Sequence, residues 1–265
     1  MRQFSADYLR ETRRGMWADS REALSGLALD SCERVLDVGC GEGALTRVLA
    51  EETDGEVIGC DRDAELLGEL DGPAVRGDAY DLPVRDRCVD LVVCQALLIN
   101  LSNPERAIRE FARVSSGRVA CIEPDNAAVD VESTVEAERA LAGRARELYL
   151  KGVETDVALG ADAASLFEAV GLSNVTTERY DQTLIVEPPY TERDVRAVGR
   201  KANGAGLRER RATMAGSDEE LDALRSEWRE MGRNAARQVQ AGEYRRRETV
   251  PFYVTVGDVD ETAHK

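Results

Sequence analysis

Histidine is nearly missing from this chain of 265 residues: His264 is the only one. Lysine occurs three times, at Lys151, Lys201 and Lys265, and arginine supplies every other cationic side chain. With one histidine beside the C-terminus, a histidine-based metal cluster or an imidazole acid–base pair has no material. Six cysteines stand at 32, 40, 60, 88, 94 and 121, but no two form a Cys-x-x-Cys pair, so a zinc ribbon or dithiol redox motif is not expected. Cys60, Cys94 and Cys121 fall in apolar runs, where a small buried thiol is the ordinary expectation. No apolar stretch is long enough for a membrane span, and Met1-Arg2-Gln3-Phe4-Ser5 does not begin a secretory signal. A reducing cytoplasm, with no metal and no membrane partner, is the expected setting.

Acid is what the chain has in excess. Asp and Glu number 51 against 35 Lys and Arg, a formal net charge of -16. A broad electrostatic footprint for nucleic acid is therefore not expected. Two origins fit the charge: an ordinary acidic surface, or a halophilic adaptation in which concentrated salt screens self-repulsion. The scarcity of lysine favours the second. Hydrophobic residues make up 43%, enough for a large core.

Residues 34–123 alternate between short apolar runs and helical patterns. Strands are expected at Arg34–Val38, Glu56–Asp61, Ala74–Gly77, Cys88–Cys94 and Arg118–Glu123. Helices are expected at Ala44–Glu52, Ala64–Leu70 and Pro104–Val114, the last with proline at its first turn. The alternation predicts an α/β fold with a parallel sheet covered on both faces. Residues 1–28 read as an N-terminal helical segment, with an apolar face including Tyr8, Met16 and Trp17. They either cover a sheet edge or form a lid. After Glu123 the pattern predicts a long helix or helix pair over 127–150, a helix over 161–170 and an extended stretch over 174–186. A helical insertion over 191–248 follows, and a final strand over 251–256. The core is then residues 29–190 with 249–260, and 191–248 is a candidate substrate cap.

The chemistry concentrates in Val35-Leu36-Asp37-Val38-Gly39-Cys40-Gly41-Glu42-Gly43. A strand runs into three alternate glycines and then a helix. Glycines let backbone turn sharply and approach a ligand, and the helix start offers unpaired N–H groups. Asp61 lies 22 residues after Gly39, at the end of the next strand, where a carboxylate can accept from two ribose hydroxyls. A helix N-cap is the plainer role for that position. Asp37 can brace the loop or reach a cofactor amino group. Asp78, after the third strand, can accept from an adenine amine while the Ala79 N–H faces the ring; otherwise it is a turn aspartate. Together these residues describe a site for an adenine nucleoside.

As an ordered set they resemble the class I S-adenosylmethionine-dependent methyltransferases of the small-molecule type. The glycine segment resembles the family's first motif, and Ile58-Gly59-Cys60-Asp61 the second. Gly77-Asp78-Ala79-Tyr80-Asp81-Leu82-Pro83 resembles its adenine-binding segment, and Asp90-Leu91-Val92-Val93-Cys94-Gln95-Ala96 its fourth strand. Pro104–Val114 resembles the helix that follows. The resemblance covers about residues 30–125. It implies a Rossmann-like, seven-stranded, mostly parallel sheet with the last strand antiparallel. It also implies an S-adenosyl-L-methionine site formed by Asp37, Gly39, Cys40, Gly41, Gly43, Asp61, Arg62, Asp78, Ala79 and Gln95, with Tyr8 and Trp17 closing it.

The loop after the fourth strand, Gln95-Ala96-Leu97-Leu98-Ile99-Asn100, departs from the many members that carry a histidine or aromatic residue there. No catalytic base is evident. Glu123 is a weak candidate, against a structural role capping a loop; Asn100 and Tyr149 are weaker lining candidates. Glu187-Pro188-Pro189-Tyr190 resembles a motif of amino-group methyltransferases but stands about 90 residues late, and reads as a turn. The expected activity is methyl transfer to a small organic acceptor by a monomer or homodimer. RNA or protein acceptors remain as alternatives, served by Arg139, Arg144 and Arg146 or by Arg208–Arg211. A non-catalytic binding protein with Leu221, Leu224 and Trp228 exposed is a further alternative. An NAD-dependent dehydrogenase would lack a convincing Tyr-Lys or His relay.

Overall fold

The computed structural model describes Trp17 and residues 21–260. The described residues form two compact units from interleaved segments: those up to 125, with 159–180 and 251–260, make the first, and 126–158 with 181–250 the second. In chain order the elements are β1 (Arg34–Val38), α1 (Ala44–Glu52), β2 (Glu56–Asp61), α2 (Ala64–Leu67), β3 (Ala74–Arg76), β4 (Val89–Gln95), α3 (Pro104–Val114) and β5 (Ser115–Pro124). Then come β6 (Asp130–Ser133), α4 (Glu136–Gly152), α5 (Ala163–Ala169), β7 (Ser173–Val186), α6 (Glu192–Asn203), α7 (Ala205–Arg210), α8 (Asp218–Ala241) and β8 (Arg246–Asp258).

The first unit is a Rossmann-like mixed sheet flanked by helices. Strands run in the order β3-β2-β1-β4-β5-β8, with β7 against β8. β1, β2, β3, β4 and β5 pair in parallel, and β8 pairs antiparallel to β5 through Arg118–Pro124 and Phe252–Asp258. Strands buried on both faces need nearly unbroken apolar runs. In β4, Val89, Leu91, Val92, Val93 and Cys94 are buried. α3 covers one face with Ala107, Ile108, Phe111 and Val114, all fully buried. The larger three contribute about 1.5–3 kcal/mol each. Its start is set by Pro104 and by the Asn103 side chain accepting from the Arg106 N–H at 3.0 Å. The order reverses between β1 and β4, and a crevice at the carboxyl ends of such strands is where α/β folds bind ligands. The N-terminal segment is a 3-10 turn over Arg21–Leu27 with Leu24 and Leu27 buried; Tyr8 and Met16 lie outside the described residues.

The second unit is mostly helical. Its core gathers Leu141 and Leu148 of α4, Val198 of α6, Leu221, Leu224 and Met231 of α8, and Tyr244. Partly buried Trp228 packs against this core, so Leu221, Leu224 and Trp228 face the unit's own interior. Buried Glu138 is the polar centre. It pairs with Lys201 and with Arg246 at 3.1 Å, and accepts from the Tyr244 hydroxyl at 2.9 Å and the Ser133 hydroxyl at 2.6 Å. Burial alone pushes its carboxyl up, but the Lys201, Ser133 and Arg246 partners outweigh burial and hold it below the usual range.

Three expectations need correction. The 127–150 segment is not all helix: Asp130–Ser133 forms β6 and pairs antiparallel with Arg246–Thr249. The strands therefore number eight among the described residues, not seven. A four-residue edge strand is too short to show a period of two. β8 also starts earlier than 251, because Arg246–Thr249 pair with β6 despite their charges. The Glu187–Tyr190 segment is the expected turn, between β7 and α6, and the Tyr190 hydroxyl donates to the Tyr244 carbonyl at 2.9 Å.

Candidate functional site

The glycine loop is the turn from β1 into α1. Gly39, Gly41 and Gly43 have φ of 72°, 58° and 82°, the left-handed region where a side chain is strained. Space is short as well. A β-carbon on Gly39 would lie 2.9 Å from Leu97, and one on Gly43 would lie 1.9 Å from Leu70. The loop is pinned to β2, where the Gly39 and Cys40 N–H groups both donate to the Cys60 carbonyl, at 2.7 and 3.1 Å.

Asp61 ends β2 and clamps this loop. One carboxylate oxygen accepts from the Gly41 N–H at 2.9 Å, and the other from the Asp63 N–H at 2.9 Å. The helix N-cap considered for Asp61 belongs to Asp63, whose side chain accepts from the Glu65 N–H at 3.0 Å. A carboxylate has about four lone-pair positions. These two bonds leave half of them, enough for a vicinal diol. Arg62 follows directly, and its carbonyl accepts from Arg76 Nε at 3.0 Å.

Asp37 is buried in β1 and accepts from the Thr46 hydroxyl at 2.6 Å. It ties strand to helix beneath the loop. Asp78 is exposed after β3. Its side chain accepts from the Tyr80 N–H at 2.9 Å, and its carbonyl from the Asp81 N–H at 2.9 Å. This is the turn aspartate, and its second carboxylate oxygen stays available to solvent or ligand. Ala79 is buried against the core. The segment beyond is tied to α3: Glu110 accepts from the Leu82 N–H at 2.7 Å, and Arg113 donates to the Val84 carbonyl at 3.0 Å.

Gln95 is buried at the end of β4. The loop after it is held by Glu123, which is fully buried at the end of β5. The Glu123 carboxylate accepts from the Leu97 and Leu98 N–H groups at 3.0 and 2.8 Å and from the Ile99 N–H at 3.4 Å. It is thus the cap of a 3-10 turn over Leu98–Asn100. Of the two roles expected for Glu123, this geometry favours the structural one. Asn100 is buried in the same turn and donates Nδ2 to the Ala96 carbonyl at 2.7 Å.

The thiols near the loop are not nucleophiles. Burial, then Asp37 and Asp61, raises the Cys40 thiol well above its usual range. Burial, then Asp61 and Asp37, pushes Cys60 up to about 12. A thiol that stays protonated is a weak nucleophile. Trp17 is buried with its ring 5.8 Å from that of Tyr180, which stacks 5.6 Å from Phe252. Tyr149 lies in α4 of the helical unit with the Arg210 guanidinium 5.8 Å from its ring.

The fold thus brings Asp37, Gly39, Cys40, Gly41, Gly43 and Asp61 together around one turn. It places Asp78 and Ala79 just after β3, Gln95 at the end of β4 and Glu123 at the end of β5. The Methyltransferase domain family matches residues 36–121, a stretch from β1 into β5 that holds all of this set except Glu123. Residues 36–121 form a class I S-adenosylmethionine-dependent methyltransferase domain. The sheet order, the three left-handed glycines and the acid at the end of β2 are its physical content. S-adenosylmethionine is its cofactor, and the residues present suit it: a carboxylate with lone pairs left over, beside a turn whose three glycines carry no side chains of their own.

A demethylmenaquinone methyltransferase of Lactiplantibacillus plantarum is 28% identical over 187 residues, covering 61% of this chain and 79% of that protein. A mouse tRNA (carboxymethyluridine(34)-5-O)-methyltransferase is 33% identical over 115 residues, covering 41% of this chain and 17% of that protein. The chain spans 40%, 43% and 48% of the length of three further methyltransferase relatives. Among solved structures, a SAM-dependent methyltransferase of Thermotoga maritima superposes with a TM-score of 0.53 at 16% identity, covering 96% of this chain and 94% of that one. That likeness shows the shared fold.

Residues that the sequence did not single out complete the site. Thr46 holds Asp37, Leu97 and Leu70 pack over the glycines, and Glu110 with Arg113 fixes the segment after Asp78. The i,i+3 pair Glu110–Arg113 was the one visible signal, a charged pair on a helix whose other face is apolar. No group of metal-ligating side chains occurs among the described residues, and no helix there is long and apolar enough to cross a membrane.

Proposed function

We propose that this chain transfers the methyl group of S-adenosylmethionine to a small organic acceptor. The observation that carries the proposal is the Asp61 carboxylate. It bridges the N–H groups of Gly41 and Asp63 at the carboxyl end of β2 and keeps acceptor capacity for a ribose diol. In this assignment the backbone of Gly39–Gly43 faces the methionine part and Asp61 holds the ribose. Arg62, Asp78 and Ala79 bound the adenine, and Gln95 lines the methionine end. Asp37 and Cys40 shape the loop from below. When bound, the sulfonium supplies an electrophilic methyl carbon with a good leaving group. The protein's part is then alignment and exclusion of water, which together lower a displacement barrier. A general base is not required unless the acceptor must lose a proton during attack.

A small acceptor is favoured over a polyanion by the net charge of -16. The arginines considered for nucleic acid are largely engaged. Arg139 pairs with Asp130 at 2.8 Å, Arg144 with Glu227 at 3.1 Å and Arg211 with Asp218 and Asp222 at 2.7 Å each. Arg146 donates to the Val129 carbonyl at 2.6 Å. The L. plantarum relative, which aligns over much of its own length, has a small organic molecule in its name. Calorimetry with S-adenosylmethionine, S-adenosylhomocysteine and NAD tests the donor, and saturable binding of the two sulfur compounds is expected. Preference for NAD, or no binding of either sulfur compound, would sink the proposal. Labelled methyl transfer into lysate split into small molecules, RNA and protein tests the acceptor, with label expected in the small-molecule fraction.

A further inference from the structure

The helical unit contains a cavity of about 220 Å³ lined by Leu207, Met214, Leu221 and Leu224 and by the polar side chains Arg208, Arg211, Asp222 and Arg225. Its apolar wall is part of the unit's core: Leu224 is fully buried, and Met214 and Leu221 nearly so. Its charged wall is not balanced. Arg211 is neutralised, because its guanidinium pairs with Asp218 and Asp222 at 2.7 Å each. Asp222 is spent in the same pairing. Arg225 is steered by α6, with its Nε donating to the Gly204 carbonyl at 3.4 Å and its stem against Gly204. Its two terminal nitrogens make no ion pair among the described residues. Arg208, on the last turn of α7, has no carboxylate partner among them either.

Two guanidinium groups without a carboxylate partner among the described residues thus line one apolar cavity. A guanidinium presents parallel N–H donors that match a carboxylate. The leucine and methionine side chains opposite would gain from burying hydrocarbon. The volume equals roughly seven waters of liquid, room for a short-chain ligand.

We infer that this cavity is a binding site for a small amphipathic monocarboxylate, with the carboxylate held by Arg208 and Arg225 and the tail against Leu207, Met214, Leu221 and Leu224. None of these residues belongs to the glycine-loop set, and the inference stands whether or not the chain transfers methyl groups. The full chain is titrated calorimetrically with hexanoate, with hexanol as the uncharged counterpart, and with inorganic phosphate as the anion without a tail. Hexanoate is expected to bind at one saturable site, more tightly than either control by about tenfold or more, the loss of one charge-assisted pair. Arg208→Gln and Arg225→Gln should each weaken hexanoate about tenfold by the same reasoning. Leu207→Trp, at a half-buried position, should fill the space and abolish binding. Binding of S-adenosylhomocysteine by these variants should not change. The inference is overturned if hexanoate shows no saturable binding, if hexanol or phosphate binds equally well, or if the arginine variants bind hexanoate like the parent.

Discussion

Replacing Asp61 separates what the residue does for the fold from what it does for a ligand. Its carboxylate satisfies two backbone N–H groups, of Gly41 inside the loop and of Asp63 ahead of α2. Hydrogen bonds to a charged group contribute about 1.5–3 kcal/mol each, and a buried donor left unmet costs about 1–3 kcal/mol. Asp61 and Asp63 are half-buried, so water recovers part of the loss. Asp61→Ala should therefore cost about 2–4 kcal/mol, roughly 5–15 °C in the melting temperature of a chain this size. Asp61→Asn keeps one oxygen. It can satisfy Gly41 or Asp63 but turns an amide donor toward the other, so about half the loss is expected. Thermal unfolding gives the total, and amide hydrogen exchange at Gly41 and Asp63 locates it. An Asp61→Ala protein with parental melting temperature and parental protection at Gly41 would refute the clamp. Affinity for S-adenosylhomocysteine is a separate readout. A destabilised variant with undiminished affinity would leave the clamp standing and remove Asp61 from the ribose.

Four further outcomes are expected. Thr46→Val deletes the hydroxyl that donates to buried Asp37 and should lower stability by about 1.5–3 kcal/mol in chemical denaturation. Glu123→Gln keeps one acceptor for the Leu97 and Leu98 N–H groups, so methyl-transfer turnover should fall by less than about tenfold; loss of the 10²–10⁴-fold that general-base catalysis contributes would reinstate Glu123 as a base. Glu138 has its carboxyl held below the unfolded value, so its stabilisation is complete above the unfolded carboxylate range and is lost as pH falls through the folded value. Acid unfolding should accordingly be steeper in the parent than in Glu138→Gln, which at neutral pH should itself be weaker by about 3–5 kcal/mol because Lys201 and Arg246 lose their buried counter-charge. If the acidic surface is an adaptation to salt, the unfolding midpoint should rise with potassium chloride; a flat or falling midpoint points to an ordinary acidic protein.

Local sequence was enough to mark the parallel strands of the first unit and the glycine turn between β1 and α1. Periodicity is a local property, and it marked β1, α1, β2, β4, α3 and β5 to within a few residues. Glycine at three alternate positions is also local, because only a left-handed backbone asks for it there. Asp61 could be placed at the end of β2 by counting. What the tertiary structure decided was which groups those residues meet. Nothing in the chain order says that the Asp61 carboxylate turns back onto Gly41, or that Glu123 reaches the N–H groups of Leu97 and Leu98, 26 and 25 residues earlier. Nor does it say that Asp130–Ser133 finds Arg246–Thr249 across more than a hundred residues. Glu138, Lys201, Tyr244 and Arg246 read separately as an ordinary helix acid, a rare lysine, a tyrosine and an arginine. They become one buried ionic cluster only when β6, α4, α6 and β8 fold together. Strand and turn propensity depend on a residue's neighbours in sequence. Charge pairing and burial depend on its neighbours in space, which the folded chain alone supplies.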